Sequence, residues 1–243
     1  MAAFVGPDGR ITPEKQASYV RVLAFDLLPE QLRPLAAQHL VELIRRAGTH
    51  LGTGFLSTPF LLPVLSSNGY LEVAYALLKQ ETPPSWLYAV NKGATTIWES
   101  WNGIDEEGNA HGSLNNYSYG AVGSWLYQVV AGIELEAPGY KHIRFQPQPG
   151  GGWTAAQASY GSLHGEIASS WRIEGGEFTL TVTVPANTTA TVCIPARMGR
   201  QVTAQGQAIE AVEGVTGVSQ EQDATLIEIG SGTYTFTAGP ALR

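Results

Sequence analysis

The spacing of apolar residues changes period once along this chain, and that change bounds what it can fold into. Up to about residue 131 apolar side chains return at three- and four-residue steps, as one face of a helix requires. From about Gly139 they alternate with polar residues, as a half-buried strand requires.

Local signals mark the helices. Thr12 before Pro13 reads as a helix start, because proline at the first helical position loses no hydrogen bond, and the helix is expected to reach about Leu28. After Pro29 and Glu30, the residues Leu32, Leu35, Ala36, Leu40, Leu43 and Ile44 form one apolar face up to Gly48. Thr58 and Pro59 repeat the start signal, and Asn68 and Gly69 end that segment. Leu71 to Gln80 is a fourth helix, closed by Pro83 and Pro84, and Ser118 to Ala131 a fifth. Helices joined by Gly-, Pro-, Ser- and Thr-rich loops predict antiparallel pairs with the chemistry carried on the loops at one end.

In the second part Thr179 to Val184 alternates strictly, Thr189 to Ile194 less cleanly, and Tyr140 to Phe145 and Tyr234 to Phe236 add further strands. The expected fold is therefore multidomain: a helical segment over residues 1–137 and an antiparallel β-sandwich over 138–243. Gly150, Gly151 and Gly152 read as a loop inside the second domain rather than a linker.

Charge and motif content exclude several functions. The chain has 14 basic against 21 acidic residues, a formal charge of -7 without a basic block, which argues against nucleic acid and anionic membranes as partners. No apolar run approaches the roughly 18 residues of a membrane span. The first residues show no basic region followed by an apolar stretch, so a cytoplasmic protein, or a piece of a larger one, is expected. Cys193, the one cysteine, lies between Val192 and Ile194 and reads as a small buried strand residue. His39, His142 and His164 lack metal-ligand spacing, and no G-x-S-x-G, G-x-G-x-x-G or P-loop is present, so no metal and no cofactor is expected. His50 reads as locally hydrogen bonded, and Asn187 to Thr189 as a turn.

The densest chemistry lies at Ser85 to Tyr88 and at Gly93 to Gly103, where Glu99 stands between Trp98 and Trp101. An indole face suits the apolar face of a pyranose, while a carboxylate handles a hydroxyl or a water. The same residues admit a purely structural account, since Thr96 and Glu99 have capping-box spacing and the tryptophans could be core. Asp105, Glu106, Glu107 and His111 read as a solvated loop.

Four separated runs, Thr53 to Pro59, Pro84 to Tyr88, Gly93 to Trp101 and Asn115 to Val122, resemble in order and spacing the closing part of the bacterial α-L-rhamnosidase catalytic domain. The similarity continues into Tyr140 to Pro147 and Pro185 to Pro195. The resemblance implies the end of an (α/α)6 barrel followed by a C-terminal β-sandwich, and inverting hydrolysis of terminal α-L-rhamnosides. It implies Glu99 as general base, with Trp98, Trp101, Trp86, Asn116 and Tyr117 as sugar-binding residues. Asn116 stands where the family pattern has histidine, which puts an amide in place of an imidazole.

The resemblance also implies that the general acid lies in a segment upstream of the matched part, and no comparable acidic segment precedes Gln16. Five or six helices amount to about half of a twelve-helix barrel. A partial toroid would leave apolar faces uncovered, so a homo-oligomer or a missing N-terminal barrel segment is expected. Two other functions stay open at this point: a carbohydrate-binding or assembly module that does not cleave sugar, and a hydrolase of another class with its site at a subunit interface.

Overall fold

A computed structural model describes residues 4–199 and 201–239 and contains two compact units, the first ending at Gly123 and the second beginning at Ser124. The described residues hold six α-helices followed by eleven strands. Residues 124–137, grouped with the helices in the sequence, cluster with the strands.

In the first unit the helices are α1 Gln16–Ala24, α2 Arg33–Arg46, α3 Thr58–Ser67, α4 Leu71–Leu78 and α5 Trp86–Asn91. α1 packs on α2 and α3, and α3 on α4, around buried Tyr19, Val20, Leu40, Ile44, Leu61, Leu65 and Tyr75. α1 starts three residues later than the Thr12–Pro13 signal predicts. Thr12 N–H donates to Phe4 C=O at 2.9 Å and Val5 bridges Ile11, so residues 4–12 fold back on themselves instead of entering the helix. It stops short of Leu28 because Asp26 takes a left-handed conformation (φ 52°), held by an Arg33 ion pair at 2.7 Å. α5 was not anticipated after two prolines. Its signal is Ser85, whose hydroxyl accepts the Tyr88 N–H at 3.1 Å as an N-cap.

The single helix expected over Ser118 to Ala131 is three short pieces: a 3₁₀ turn Ser118–Ala121, α6 Val122–Trp125 and a π-helical turn Leu126–Val130. Gly120 and Gly123 favour such breaks, since glycine adds no helix propensity.

In the second unit the strands are β1 Ile133–Leu135, β2 His142–Phe145, β3 Ala155–Ser162, β4 Gly165–Glu174, β5 Glu177–Val184, β6 Thr189–Pro195, β7 Gln201–Ala204, β8 Gln207–Ala208, β9 Val215–Gln220, β10 Ala224–Ile229 and β11 Gly232–Gly239. They form a five-stranded sheet, β1-β2-β6-β10-β9, and a six-stranded sheet, β3-β4-β5-β11-β7-β8. Ile143, Phe145, Val192 and Ile227 of one sheet share a buried core with Trp171, Phe178, Leu180 and Phe236 of the other. One pair departs from the antiparallel expectation: β2 runs parallel to β6, because the chain crosses to the other sheet for β3, β4 and β5 before returning. Alternation is visible on β5 and β11, where Thr181 and Thr183 bond across to Thr235 and Thr233 on the outer face. Gly151 and Gly152, both at positive φ, lie in the turn before β3.

Cys193 is buried and accepts from Arg144 at 3.0 Å, and burial pushes its thiol up to about 11. Among the described residues no helix is long and apolar enough to cross a membrane.

Candidate active site

The segment between α5 and the 3₁₀ turn carries the site, and it is held by its own backbone rather than by helix packing. Asn116 N–H donates to Ile97 C=O at 2.8 Å, Glu99 N–H to Ser113 C=O at 2.9 Å, and the Thr96 hydroxyl to Leu114 C=O at 2.5 Å. Two arms, 96–99 and 113–116, thus lie side by side. The capping box that Thr96 and Glu99 could form is not made, since both side chains turn to the opposite arm: Ser113 N–H donates to Glu99 Oε2 at 3.0 Å. Gly112, at φ 70°, passes close to that carboxylate.

Farther along, Ile104 bridges Ala110, and His111 N–H donates to Gly103 C=O at 2.7 Å. Asp105 ties this tip together, accepting from Asn109 N–H at 2.7 Å and contacting His111 Nε2 at 2.7 Å, so it organises the loop from which Glu106 and Glu107 project as exposed residues. The His111 contact, followed by the Asn109 backbone bond, lowers the Asp105 carboxyl to about 2. The folded value lies below the ordinary aspartate value of about 3.8, so the contribution is present above about pH 4 and lost as pH falls through about 2. The Asn109 amide signal should follow that transition in an NMR titration, and Asp105→Asn should abolish it without altering the cleft.

Glu99, Ser100, Trp101, Asn102, Tyr119, Pro83 and Pro84 line a cleft of about 490 Å³. Glu99 is half-buried there. Trp101 stacks on Tyr119 with ring centroids 3.8 Å apart and planes 9° from parallel, and meets Trp86 edge to face at 5.2 Å. Polar edges fix the stack: Trp101 Nε1 donates to Thr53 C=O at 3.3 Å, and Trp86 Nε1 to Tyr119 C=O at 2.9 Å. Burial, and then the Glu99 charge, push the Tyr119 hydroxyl above the usual phenol range.

Of the six residues singled out in the sequence, the cleft lining brings together Glu99 and Trp101. Trp86 is buried against Trp101. Trp98 is 4% exposed with Gly103 against its ring, which leaves the indole covered. Asn116 Oδ1 accepts the Ser118 N–H at 3.0 Å, and Tyr117 is 90% exposed; neither lines the cleft. Tyr119, Pro83, Pro84, Ser100 and Asn102 were not named as site residues. Tyr119 lay inside a matching run, but nothing local distinguishes a stacking tyrosine from an exposed one such as Tyr117. His50 is satisfied nearby, by Ala47 C=O at 3.0 Å and the Thr82 hydroxyl at 2.8 Å.

Comparison with known proteins agrees with the two-part organisation. Residues 1–130 match the family model of the bacterial alpha-L-rhamnosidase 6 hairpin glycosidase domain, and residues 132–208 that of the bacterial alpha-L-rhamnosidase C-terminal domain. An alpha-L-rhamnosidase of Streptomyces avermitilis is 43% identical over 239 residues, which is 97% of this chain and 22% of the relative. One from Formosa agariphila is 40% identical over 227 residues, 92% of this chain and 24% of its own length. The chain therefore spans about a quarter or less of these relatives.

Among solved structures, the Streptomyces avermitilis alpha-L-rhamnosidase complexed with L-rhamnose superposes with a TM-score of 0.88 at 41% identity, covering 98% of this chain and 23% of that one. The Dictyoglumus thermophilum alpha-L-rhamnosidase gives 0.86 at 30% identity, covering 97% and 27%. The helices and sheets correspond to part of a helical barrel and the following β domain of these structures. Because the glycosidase-domain match alone takes in 130 of the 243 residues, and the C-terminal-domain match follows it directly, this chain belongs to the bacterial α-L-rhamnosidase family of glycoside hydrolases.

Proposed function

We propose that this chain supplies the water-activating side of an inverting α-L-rhamnosidase site, with Glu99 as general base and Trp101, backed by Tyr119 and Trp86, as the wall for the sugar. The observation that carries this reading is the setting of Glu99: a half-buried carboxylate, one oxygen held by the Ser113 N–H, in a cleft shared with Trp101. Holding one oxygen fixes the carboxylate, so that the other can take a proton from water attacking the anomeric carbon. The indole replaces water along the C–H face of the pyranose. The solved relative complexed with L-rhamnose supports the choice of sugar.

In the inverting reaction a carboxylic acid about 6.5–9.5 Å from the base protonates the departing glycosidic oxygen. Among the described residues lining the cleft, Glu99 is the one acidic group, so the acid is expected from a segment outside these 243 residues. The chain by itself should then bind L-rhamnose without cleaving rhamnosides.

The test is to incubate an aryl α-L-rhamnoside with this chain alone, and with this chain plus the part of the Streptomyces avermitilis relative that it does not cover. Turnover is expected with the added part, with β-L-rhamnose as the first product in proton NMR. The α anomer appearing first would exclude inversion. Absence of turnover in both samples, together with no calorimetric signal for L-rhamnose, would end the reading.

A further inference from the structure

Among the described residues the second unit has four sheet edges, and three of them are blunted. β1 has three residues and β8 two, while β9 carries an irregularity where Thr216 is skipped between its pairs with Glu228 and Ile229. Short or bulged edges discourage pairing with another chain. The fourth edge is different: β3 is eight residues long, with no charged residue and no proline.

Hydrogen bonds define which groups of β3 face outward. Ile173 N–H donates to Thr154 C=O at 2.7 Å, and the register continues through Ala156 with Trp171 and Ala158 with Ser169, so even-numbered residues bond to β4. From the other side the Tyr127 hydroxyl donates to Ser159 C=O at 3.2 Å. The N–H and C=O groups of Ala155 and Gln157 and the N–H of Ser159 therefore face the open edge, where the Ser159 C=O already has Tyr127 as one donor. Beside it lies a groove of about 770 Å³, walled by Leu126, Val130 and Trp153.

We propose that β3 pairs with β3 of a second copy of this chain, antiparallel about Gln157, joining two six-stranded sheets into one. The alternation of donors and acceptors at strand spacing matches another extended backbone, and a two-fold axis makes a single edge complementary to itself. Pairing about Gln157 sets that residue opposite its own copy and Ala155 opposite Ser159 of the second copy, so an edge with charges of one sign would repel. The chain carries a formal charge of -7, yet none of it lies on β3. The inward side chains of Ala156 and Ala158 are small, which lets the copy's backbone approach the Leu126 and Val130 wall.

Sedimentation velocity on the full chain over a concentration series tests this, with a monomer–dimer equilibrium expected. Gln157→Pro removes an outward N–H and leaves the bonds to β4 in place, so the fold should persist. It should raise the dimer dissociation constant by roughly tenfold or more, the effect of losing two symmetry-related backbone bonds across the two-fold. Gln157→Lys places like charges opposite each other and should weaken the dimer in a way that high salt reverses. Circular dichroism of each variant verifies folding. A wild-type monomer at every concentration, or a dimer indifferent to both substitutions, would overturn the proposal.

Discussion

Replacing Glu99 by Gln is expected to lower the rate of rhamnoside hydrolysis by about 10²- to 10⁴-fold, the usual contribution of a positioned general base. The substitution separates chemistry from architecture. Glutamine has the same shape, and its amide oxygen can still accept the Ser113 N–H that the carboxylate accepts at 3.0 Å. The two loop arms also stay paired through the backbone bond from Glu99 to Ser113, which no side chain alters. Thermal unfolding and L-rhamnose affinity should therefore change little while kcat falls. The measurement belongs in the complemented sample described above, with stopped aliquots followed over hours. Retention of full activity would remove Glu99 from the reaction. A parallel fall in melting temperature would mean that the carboxylate matters for the loop rather than for the water.

The largest effect on stability is expected from Gly132→Ala. Gly132 sits at φ 74°, and a Cβ there would lie 2.1 Å from Pro147 N and 2.5 Å from Pro147 Cα. Backbone atoms cannot rotate aside as a side-chain tip can. Gln146 N–H donates to Gly132 C=O at 2.9 Å, and the next residue, Ile133, opens the pairing of β1 with β2 opposite Phe145. Relief of the clash would have to separate those strands at the edge of the buried core. Left-handed strain and overpacking together should cost about 3 kcal/mol or more, read as a shifted urea midpoint. Gly152→Ala is the control, since Gly152 has φ 76° but nothing within 4 Å of its added Cβ. That change should cost about 1 kcal/mol, the conformational part alone. Equal losses in the two variants would show that the contact with Pro147 is not the cause.

The fold was legible wherever a local signal agreed with the packing. α3 begins at the Thr58–Pro59 signal, and β5 and β6 occupy the runs marked by alternation. Misreadings arose where distant or neighbouring backbone competed. Thr12 is a plausible N-cap by composition, but its N–H is taken by Phe4. β3 and β4 escaped notice because small and polar residues dominate them, so the apolar contrast that reveals a strand is weak.

The site shows the same division at shorter range. Residue types alone determined that a carboxylate and several indoles crowd one stretch of chain, and that an alternating half follows a helical one. They could not determine which indole meets the cleft, because Trp98 and Trp101 are three residues apart in a loop with no helical or strand period to orient them. Only the tertiary structure decided that Trp98 is covered while Trp101 stacks on Tyr119 beside Glu99, through contacts with Thr53, Trp86 and Gly103 that span up to 48 positions of sequence. A side chain's composition sets what chemistry it can offer. Its direction is set by whatever the folded chain brings against it.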